Sequence, residues 1–552
     1  MDILIFSALT NLIYFYCGSL FISNKINNFY NQFYTYFLGA IIISFISLVL
    51  NFFTPLTPLI NSIFYFLIIF ASIFKKKFSL NKINIIFLII SSFITFLLII
   101  YSTVNRPDAG LYHLPYISII NENKIIFGVS NIHFRFGHIS ILQYLSAINN
   151  NYLFLENGIS IPVASIVSFF YIYFFYDIYK VIKEKKRVNL SNFFSLFIII
   201  YIAFKISRYS EFGNDAVAHL SFFYLIQKLL KYNINKINFN RILLTSVFIF
   251  LNKPTLGIIF IAPIIIFFIQ NTFQLKKIFY LFISFPVFFF YLWLIKNIVI
   301  SGCAIYPMKI TCIENLPWTN IKEVESISNM SEAWSKAWPD KINQNISIEE
   351  YNKNFNWLDA WSQKHLKFIL NITIPYIIVL LIIVLIIKIQ TKNIIIESYK
   401  YNKKNFFLTF IITGIGILSF FFLFPLYRYG YSYIISFISL LFLFIIKDKI
   451  LVKENLKIFK FIFITCLTVI ISKQGIKIFK DHTNSIWPNI YTLDPNNKIY
   501  PKKKIKINED FSYYLSENGD QLCMYKYAPC TSYLQKKLKY SLKRNYVFLT
   551  VN

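Results

Sequence analysis

A carboxylate flanked by cations and aromatic groups follows the fourth long apolar segment of the chain. Asp108 lies in RPDAGLYHLP (106–115), two residues after Arg106 and shortly before Tyr112 and His113. Held at a membrane surface, such a carboxylate can act as a general base that removes a proton from a hydroxyl group. An aspartate after a proline also often caps a helix, and capping and catalysis can coexist at one residue.

Further cations stand in two short polar motifs. HFRFGH contributes Arg135 and His138, and FPLYRYGY contributes Arg428. A guanidinium group can bind a phosphate bidentately, so these residues, with Arg106 and His113, would supply positive charge for an anionic group. The alternative is that Arg428 anchors its segment among the neighbouring tyrosines and that each histidine is an interfacial side chain.

A second acidic site is predicted in RYSEFGND, where Glu211 and Asp215 bracket a glycine turn. The two acids would ligate a metal or bind the acceptor, whereas the simpler reading is a solvated turn with Asp215 as a helix cap. Lys253 precedes Pro254 within an apolar stretch. An ionisable residue in that setting is a functional candidate, or a lysine whose ammonium reaches an interface.

Long apolar segments separate these motifs. The chain has 552 residues, of which 57% are hydrophobic and 14% charged. A helix needs roughly 20 apolar residues to cross a bilayer. An open sheet edge would leave backbone groups without hydrogen bonds in lipid, so these segments must be helical. We therefore predict an all-α polytopic membrane protein with about 12–14 transmembrane helices. The candidate spans are 3–22, 34–53, 56–74, 83–104, 157–179, 190–207, 216–230, 241–252, 254–271, 278–299, 368–387, 406–424, 430–446 and 458–473.

The charges are distributed unequally between alternate connections. The net charge is +30, and one set of short loops carries 24 Lys and Arg against four acids. These loops are 23–33, 75–82, 180–189, 231–241, 272–277, 388–405 and 447–457. The alternate connections carry 13 basic and 13 acidic residues. This asymmetry is typical of the positive-inside rule, so it favours a membrane protein over a nucleic-acid-binding one and places the basic loops in the cytoplasm.

Three long segments then fall outside the cytoplasm. They are the first long loop (105–156) and the second long loop (301–367) of a transmembrane domain, 1–473, and a small α/β tail, 474–552. Four of the six cysteines lie in these segments, and close pairs in an oxidising compartment suit disulfides. We predict the pairs Cys303–Cys312 and Cys523–Cys530.

The combination of many spans with an acid in each of two consecutive outer connections resembles the GT-C superfamily of membrane glycosyltransferases. The chain is similar, over nearly its whole length, to a bacterial family of large polytopic proteins with GT-C-like features. That family carries a D-x-x-x-Y-H-x-P motif in its first outer loop, an aromatic–arginine motif and a C-terminal Pro-Cys-Thr motif. They match DAGLYHLP, PLYRYG and APCTSY, and SGCAIYP resembles a further outer loop.

The resemblance implies an inverting transferase in a bacterial inner membrane. The donor would be a polyprenyl-phosphate-linked sugar and the acceptor a glycan, lipid or protein of the envelope. The catalytic acid of the family maps onto Asp108, while the cations, including Lys253, would bind the donor phosphate. The tryptophan-bearing second long loop and the tail would bind the acceptor; the alternative is that these tryptophans anchor the loop at the membrane interface. The chain departs from this pattern in two ways. GT-C enzymes usually carry the loop after the first span, whereas here it follows the fourth. Many relatives also have two adjacent acids, whereas here Asp108 is followed by Ala109. No cofactor is implied with certainty, and a divalent metal is possible.

Two other classes of function fit the same sequence. A transporter or flippase of lipid-linked glycans would need a polar path through the helices, for which the sequence offers only Lys205 and Lys296, both near span ends. A non-catalytic membrane scaffold would use the outer loops to bind a partner. Clustering of the candidate residues on one predicted face favours an enzyme over a transporter, and it separates an enzyme from a scaffold only weakly.

We expect the basic loops to be cytoplasmic and the second long loop and the tail to be outside. Reporter fusions after Lys277, Ile342 and Asn496 test this expectation. A cytoplasmic signal is expected after Lys277, and an external signal after the other two. A cytoplasmic signal after Asn496 would contradict the predicted topology.

Overall fold

The structure is a computed structural model. It describes residues 2–22, 28–75, 80–100, 108–185, 188–205, 212–270, 280–390, 403–447, 455–480, 502–509, 511–516, 523–526, 528–531, 534–535 and 537–551.

Helices make up most of the described chain. The α-helices are α1 (Asp2–Leu20), α2 (Phe29–Phe53), α3 (Pro58–Phe74), α4 (Lys82–Ile100), α5 (Leu114–Glu122), α6 (Ile141–Ile148), α7 (Ile161–Lys183), α8 (Leu190–Lys205), α9 (Asp215–Lys231), α10 (Phe239–Asn252), α11 (Ile261–Gln270), α12 (Phe285–Ser301), α13 (Ile321–Ser335), α14 (Ile348–Asn352), α15 (Leu358–Trp361), α16 (Lys367–Gln390), α17 (Lys403–Leu423), α18 (Tyr427–Ile446) and α19 (Asn455–Lys480). The π-helices are Ala109–His113 and Ser362–Leu366, and the 3₁₀ helices are Val129–Asn131, Phe134–His138, Leu155–Ser160, Ile234–Lys236, Pro254–Phe260, Lys309–Thr311 and Trp338–Asp340.

Within the described residues, seven helical segments are long and apolar enough to cross a membrane. They are Asp2–Leu20, Phe29–Phe53, Lys82–Ile100, Leu155–Lys183, Leu358–Ile389, Lys403–Leu423 and Tyr427–Ile446. Shorter apolar helices are Pro58–Phe74, Leu190–Lys205, Phe239–Asn252, Pro254–Gln270 and Phe285–Ser301. The chain is therefore a helical membrane protein, as predicted, while the number of helices that cross stays a prediction.

The first two helices cross at a pair of glycines. A Cβ atom added at Gly18 would lie 1.9 Å from the Thr35 carbonyl oxygen, and one at Gly39 would lie 1.8 Å from that of Tyr14. Since apolar burial contributes little between helices in lipid, close backbone approach at small residues is a main source of their association. This crossing brings α1 and α2 together as one unit.

A buried carboxylate joins several helix ends far from the long loops. Asp177, near the end of α7, accepts hydrogen bonds from Tyr30 Oη at 2.7 Å, Lys231 Nζ at 2.9 Å, Ser195 Oγ at 2.9 Å and Asn192 Nδ2 at 3.0 Å. A charge at this depth is tolerated when a counter-ion and several donors surround it. The cluster fixes one end of α7, α8 and α9, and the opposite ends of α8 and α9 carry the candidate site.

The described part of the tail beyond Lys480 forms strands, with no helix among them. The strands are β1 (Lys502–Lys506), β2 (Ser512–Ser516), β3 (Cys530–Thr531), β4 (Leu538–Lys543) and β5 (Tyr546–Val551). The first sheet has the order β1-β2-β3, with β1 antiparallel and β3 parallel to β2, and β4 and β5 form an antiparallel hairpin. The structure thus contains the β part of the predicted α/β tail.

The tail packs against both long loops. Phe127 of the first long loop pairs with Phe548, and Asn131 Nδ2 donates to the carbonyl oxygens of Leu549 and Trp318, each at 3.0 Å. The backbone N–H groups of Cys523 and Met524 both donate to the carbonyl oxygen of Gly110, at 3.0 and 2.9 Å. The three long segments therefore lie at the same end of the helical bundle.

The structure joins Cys303 to Cys312 and Cys523 to Cys530, the two pairs that we predict from the sequence. Cys17 and Cys466 are buried and free.

We expect mass spectrometry of unreduced peptides to recover both linked pairs from protein isolated from membranes. The buried Cys17 and Cys466 provide an internal control, because they should stay free thiols. Closing each short loop should stabilise its segment by about 2–3 kcal/mol. Free thiols at all four paired positions would contradict both the disulfides and the predicted external location.

Candidate active site

The Asp108 carboxylate lies between two guanidinium groups. Arg428 Nη1 donates to Asp108 Oδ2 at 2.7 Å, and Arg135 Nη1 donates to Oδ1 at 3.3 Å. Asp108 precedes the π-helix Ala109–His113, and among the described residues its side chain makes no capping hydrogen bond. The geometry therefore supports charge pairing, and not simple helix capping, as the role of this carboxylate at rest.

The charge state of Asp108 follows from this pairing. Burial alone would raise the pKa of the carboxyl group, but the charges of Arg428 and then Arg135 outweigh it and hold the pKa below its ordinary value. Opposite charges within a few ångströms favour the ionised form. Asp108 is therefore an anion at neutral pH, as a proton acceptor must be.

Backbone contacts at the start of α18 hold Arg428 in place. His219 Nε2–H donates to the Arg428 carbonyl oxygen at 3.0 Å, and its Nδ1 accepts from Ser432 Oγ at 2.8 Å. Trp361 Nε1–H donates to the Pro425 carbonyl oxygen at 2.7 Å. Sequence reasoning missed His219, and its signal is a histidine four residues after Asp215 in the apolar first half of α9.

Packing between the two long loops holds Arg135. His133 caps the 3₁₀ helix Phe134–His138 by accepting the backbone N–H of Arg135 on its Nδ1, at 3.2 Å. A Cβ atom at Gly137 would lie 2.4 Å from the ring of Tyr306, so only a glycine lets that ring pack so closely. The disulfide-linked segment that carries Tyr306 thereby supports the loop that presents Arg135.

A second acid–base pair lies beside the first. Lys253 Nζ donates to Asp215 Oδ1, and the ammonium lies 5.0 Å from the centre of the Tyr429 ring. The Lys253 side chain is only 6% exposed, which excludes the alternative of an ammonium that extends into water. Asn214 Nδ2 donates to the Asn252 carbonyl oxygen, so two contacts join the turn before α9 to the break after α10.

An open cleft connects the two acids. Its walls combine carboxylates, cations and aromatic rings. The lining residues are Asp108, Tyr112, His113, Tyr201, Lys205, Phe212, Gly213, Asn214, Asp215, Ala216, Tyr427, Arg428 and Tyr431. A polar cleft with aromatic walls suits a substrate that has both hydroxyl groups and negative charge.

Not all predicted site residues line the cleft. Arg135 and Lys253 do not line it themselves but contact the carboxylates of Asp108 and Asp215, which do. His138 is exposed and packs edge-on against Tyr306, with ring centres 5.2 Å apart, and it does not line the cleft. Arg106 and Glu211 lie outside the described residues.

The tryptophans of the second long loop are mainly structural. Trp357 and Trp361 are buried against Phe421 of α17, whereas Trp334 is exposed. A buried ring cannot stack on an acceptor sugar. Of these three tryptophans, Trp334 can therefore contact an acceptor, whereas Trp357 and Trp361 cannot.

The acids do not form a set of metal ligands in the described part of the chain. No group of three or more His, Cys, Asp and Glu residues there could hold a metal ion. Asp108 faces two guanidinium groups and Asp215 faces an ammonium, so both carboxylates have cationic partners already. This donor set does not fit a divalent metal.

A family model described as "Domain of unknown function (DUF8201)" matches residues 1–435, which include Asp108, Asp215, Lys253 and Arg428. No curated protein and no solved structure matches the chain.

Lys253→Met should destabilise the protein by about 1–2 kcal/mol, because it leaves the Asp215 carboxylate without its counter-ion. The double variant Lys253→Met/Asp215→Asn should recover most of this loss. Thermal unfolding in lipid nanodiscs measures both effects.

The exposed pair Lys364–Asp340 is the matched control. Lys364→Met and Asp340→Asn should each change stability by less than about 0.5 kcal/mol, since exposed ion pairs contribute little. A single Lys253→Met variant as stable as the wild type would show that the pair does not support the fold.

Proposed function

We propose that this chain, which belongs to the family described as "Domain of unknown function (DUF8201)", is a membrane glycosyltransferase. It would move a sugar from a polyprenyl-phosphate-linked donor to a glycan, lipid or protein acceptor of the envelope. The observation that carries the proposal is the convergence of Arg135 and Arg428 on Asp108, a carboxylate that lines the cleft. A carboxylate that can accept a proton, beside groups that bind phosphate, is what this transfer needs.

The position of the cleft supports a lipid-linked donor. It opens at the bundle end where the three long segments pack together, and the charge asymmetry predicts that this end is outside the cytoplasm. In a bacterial inner membrane, with about 12–14 spans arranged as in GT-C enzymes, the donor chain stays in the bilayer and its phosphate lies at this surface.

Two arginines remain accessible to such a phosphate. The side chains of Arg428 and Arg135 are 39% and 34% exposed although both contact Asp108. Together they carry one positive charge more than Asp108 neutralises. An arriving phosphate would compete with Asp108 for their N–H groups, since phosphate and carboxylate both accept bidentate guanidinium hydrogen bonds.

This competition links donor binding to the reactivity of Asp108. At rest both carboxylate oxygens accept from arginines, and the lowered pKa makes the group a weak base. When a guanidinium group leaves Asp108 and binds the phosphate, an oxygen of Asp108 becomes free and the pKa of the Asp108 carboxyl group rises toward its ordinary value. The carboxylate then becomes a stronger base when the donor is in place.

The transfer needs no reactant other than the donor and the acceptor. Asp108 takes the proton of the acceptor hydroxyl group while the acceptor oxygen bonds to the anomeric carbon of the sugar. The bond from that carbon to the phosphate oxygen breaks, and the polyprenyl phosphate leaves with the electron pair. Arg428 and Arg135 stabilise the charge on the leaving phosphate, an effect often equivalent to several kcal/mol.

The aromatic walls suit the sugar. Tyr112, Tyr201, Tyr427 and Tyr431 line the cleft, and the hydroxyl groups of Tyr201 and Tyr427 lie 2.8 Å apart. Aromatic side chains that end in a hydroxyl group combine an apolar face with a polar tip.

Asp108→Asn should reduce transfer by roughly 100- to 10,000-fold, because an amide cannot accept the proton. The assay is complementation of a deletion strain, with the envelope glycan and the lipid-linked sugar measured by mass spectrometry. We expect lipid-linked sugar to accumulate and the glycan to be lost, at an unchanged level of protein in the membrane.

Asp359→Asn is the matched control, because Asp359 is an exposed acid of the second long loop outside the cleft. It should restore the wild-type profile. If Asp108→Asn also restores that profile at normal protein levels, Asp108 is not the base.

A further inference from the structure

A buried capping box fixes the orientation of one glutamine. The backbone N–H and the Oγ–H of Ser140, before α6, both donate to Gln143 Oε1, at 3.0 and 2.7 Å. A backbone nitrogen can only donate, so the side-chain atom of Gln143 that faces it must be the amide oxygen. The NH₂ group of Gln143 therefore points the other way.

This NH₂ group lies against His113. Gln143 Nε2 is 2.6 Å from His113 Nδ1, and both side chains are buried. Because an amide NH₂ can only donate, Nδ1 of His113 must be the acceptor and carries no proton. The single ring proton of a neutral His113 then resides on Nε2.

The surroundings of the ring keep it neutral. Burial lowers the pKa of His113 to about 4, although the charges of Asp108 and Asp215 act in the opposite direction. Arg428 and Arg135 lower it further, and the other close neighbours, Tyr112 and Phe212, are aromatic. A cationic ring would also place an N–H on Nδ1 against the NH₂ of Gln143.

The protonated edge of the ring faces the cleft. His113 lines the cleft, and a Cβ atom at Gly213 would still lie 3.8 Å from Nε2, so the glycine leaves space there. Among the described residues, no acceptor for Nε2–H is present within hydrogen-bonding distance.

We propose that His113 is a neutral Nε2–H donor to an oxygen atom of the substrate, and that Gln143 is the positioning residue that fixes this tautomer. The inference deepens the proposed function and rests on it only for the nature of the oxygen, which belongs to a phosphate or to a sugar. His113 is then neither a base nor a cation. Proton acceptance in the cleft is left to the carboxylates.

The tautomer can be measured without any activity. In protein labelled with ¹⁵N-histidine in lipid nanodiscs, the His113 signals are identified by their loss in His113→Asn. At pH 7 we expect Nδ1 to resonate as an unprotonated nitrogen and Nε2 as a protonated one. A proton on Nδ1 at pH 7 would overturn the inference.

Gln143→Glu tests the role of the glutamine. The carboxylate still accepts from Ser140, which preserves the capping box, but its second oxygen now accepts a proton from Nδ1. The ring should therefore gain a proton on Nδ1 and titrate at a higher pH, and transfer should fall by about 10- to 100-fold, as is usual for groups that orient a functional histidine. Gln344→Glu, on an exposed glutamine of the second long loop, is the control. An unchanged His113 spectrum in Gln143→Glu would refute the positioning role.

Ligand titrations identify the oxygen. A short-chain polyprenyl phosphate and the lipid-linked sugar that accumulates in the deletion strain are added separately, and the Nε2 signal is followed. A shift with the phosphate alone assigns a phosphate oxygen, and a shift only with the sugar-bearing lipid assigns a sugar oxygen. If a ligand binds and the signal does not shift, the donor role is overturned. If neither ligand binds and the wild-type protein has no transferase activity, only the proposed function is refuted, because the tautomer is measured without a ligand.

Discussion

The contact of Asp108 with two arginines is the interaction on which the end of the bundle that carries the long loops depends. A carboxylate partly removed from water needs cations close by, and these cations come from the first long loop and from α18, 320 residues away from Asp108 in the case of Arg428. Neither arginine would be stable so close to the other without the carboxylate between them. The three groups therefore fix the relative positions of segments that no continuous helix connects.

Contacts outside the cleft hold the two arginines of this charged cluster in position. Loops normally move more than helices, and a functional site on loops needs a rigid support. Here the support comes from His219 and Trp361, which donate to backbone oxygens at Arg428 and Pro425, and from Tyr306 packed on Gly137 beside Arg135. The buried rings of Trp361 and Tyr306 in the second long loop, and of His219 on α9, thus serve to align charges, and the cleft itself stays open.

The sequence predicts the helical membrane protein and most of the charged residues at the cleft because both leave local signals. Hydrophobic length marks the spans, and an ionisable residue at the end of an apolar segment is conspicuous, as at Asp108 and Lys253. The pairing of Lys253 with Asp215 leaves no such signal, since it depends on how α9 and α10 pack. Gln143 was missed for the same reason. His138 shares a motif with Arg135 but packs against Tyr306 and does not line the cleft, and nothing in the motif itself indicates this.

The contact of the tail with Gly110 has a consequence for the order of biosynthesis. Cys523 and Met524 hold the π-helix that follows Asp108, yet they leave the ribosome some 400 residues after it. The first long loop therefore stays incomplete during synthesis until these two residues arrive. A chain cut before Cys523 would therefore keep the sequence of all its long apolar helices and still lack the two contacts that complete the loop after Asp108.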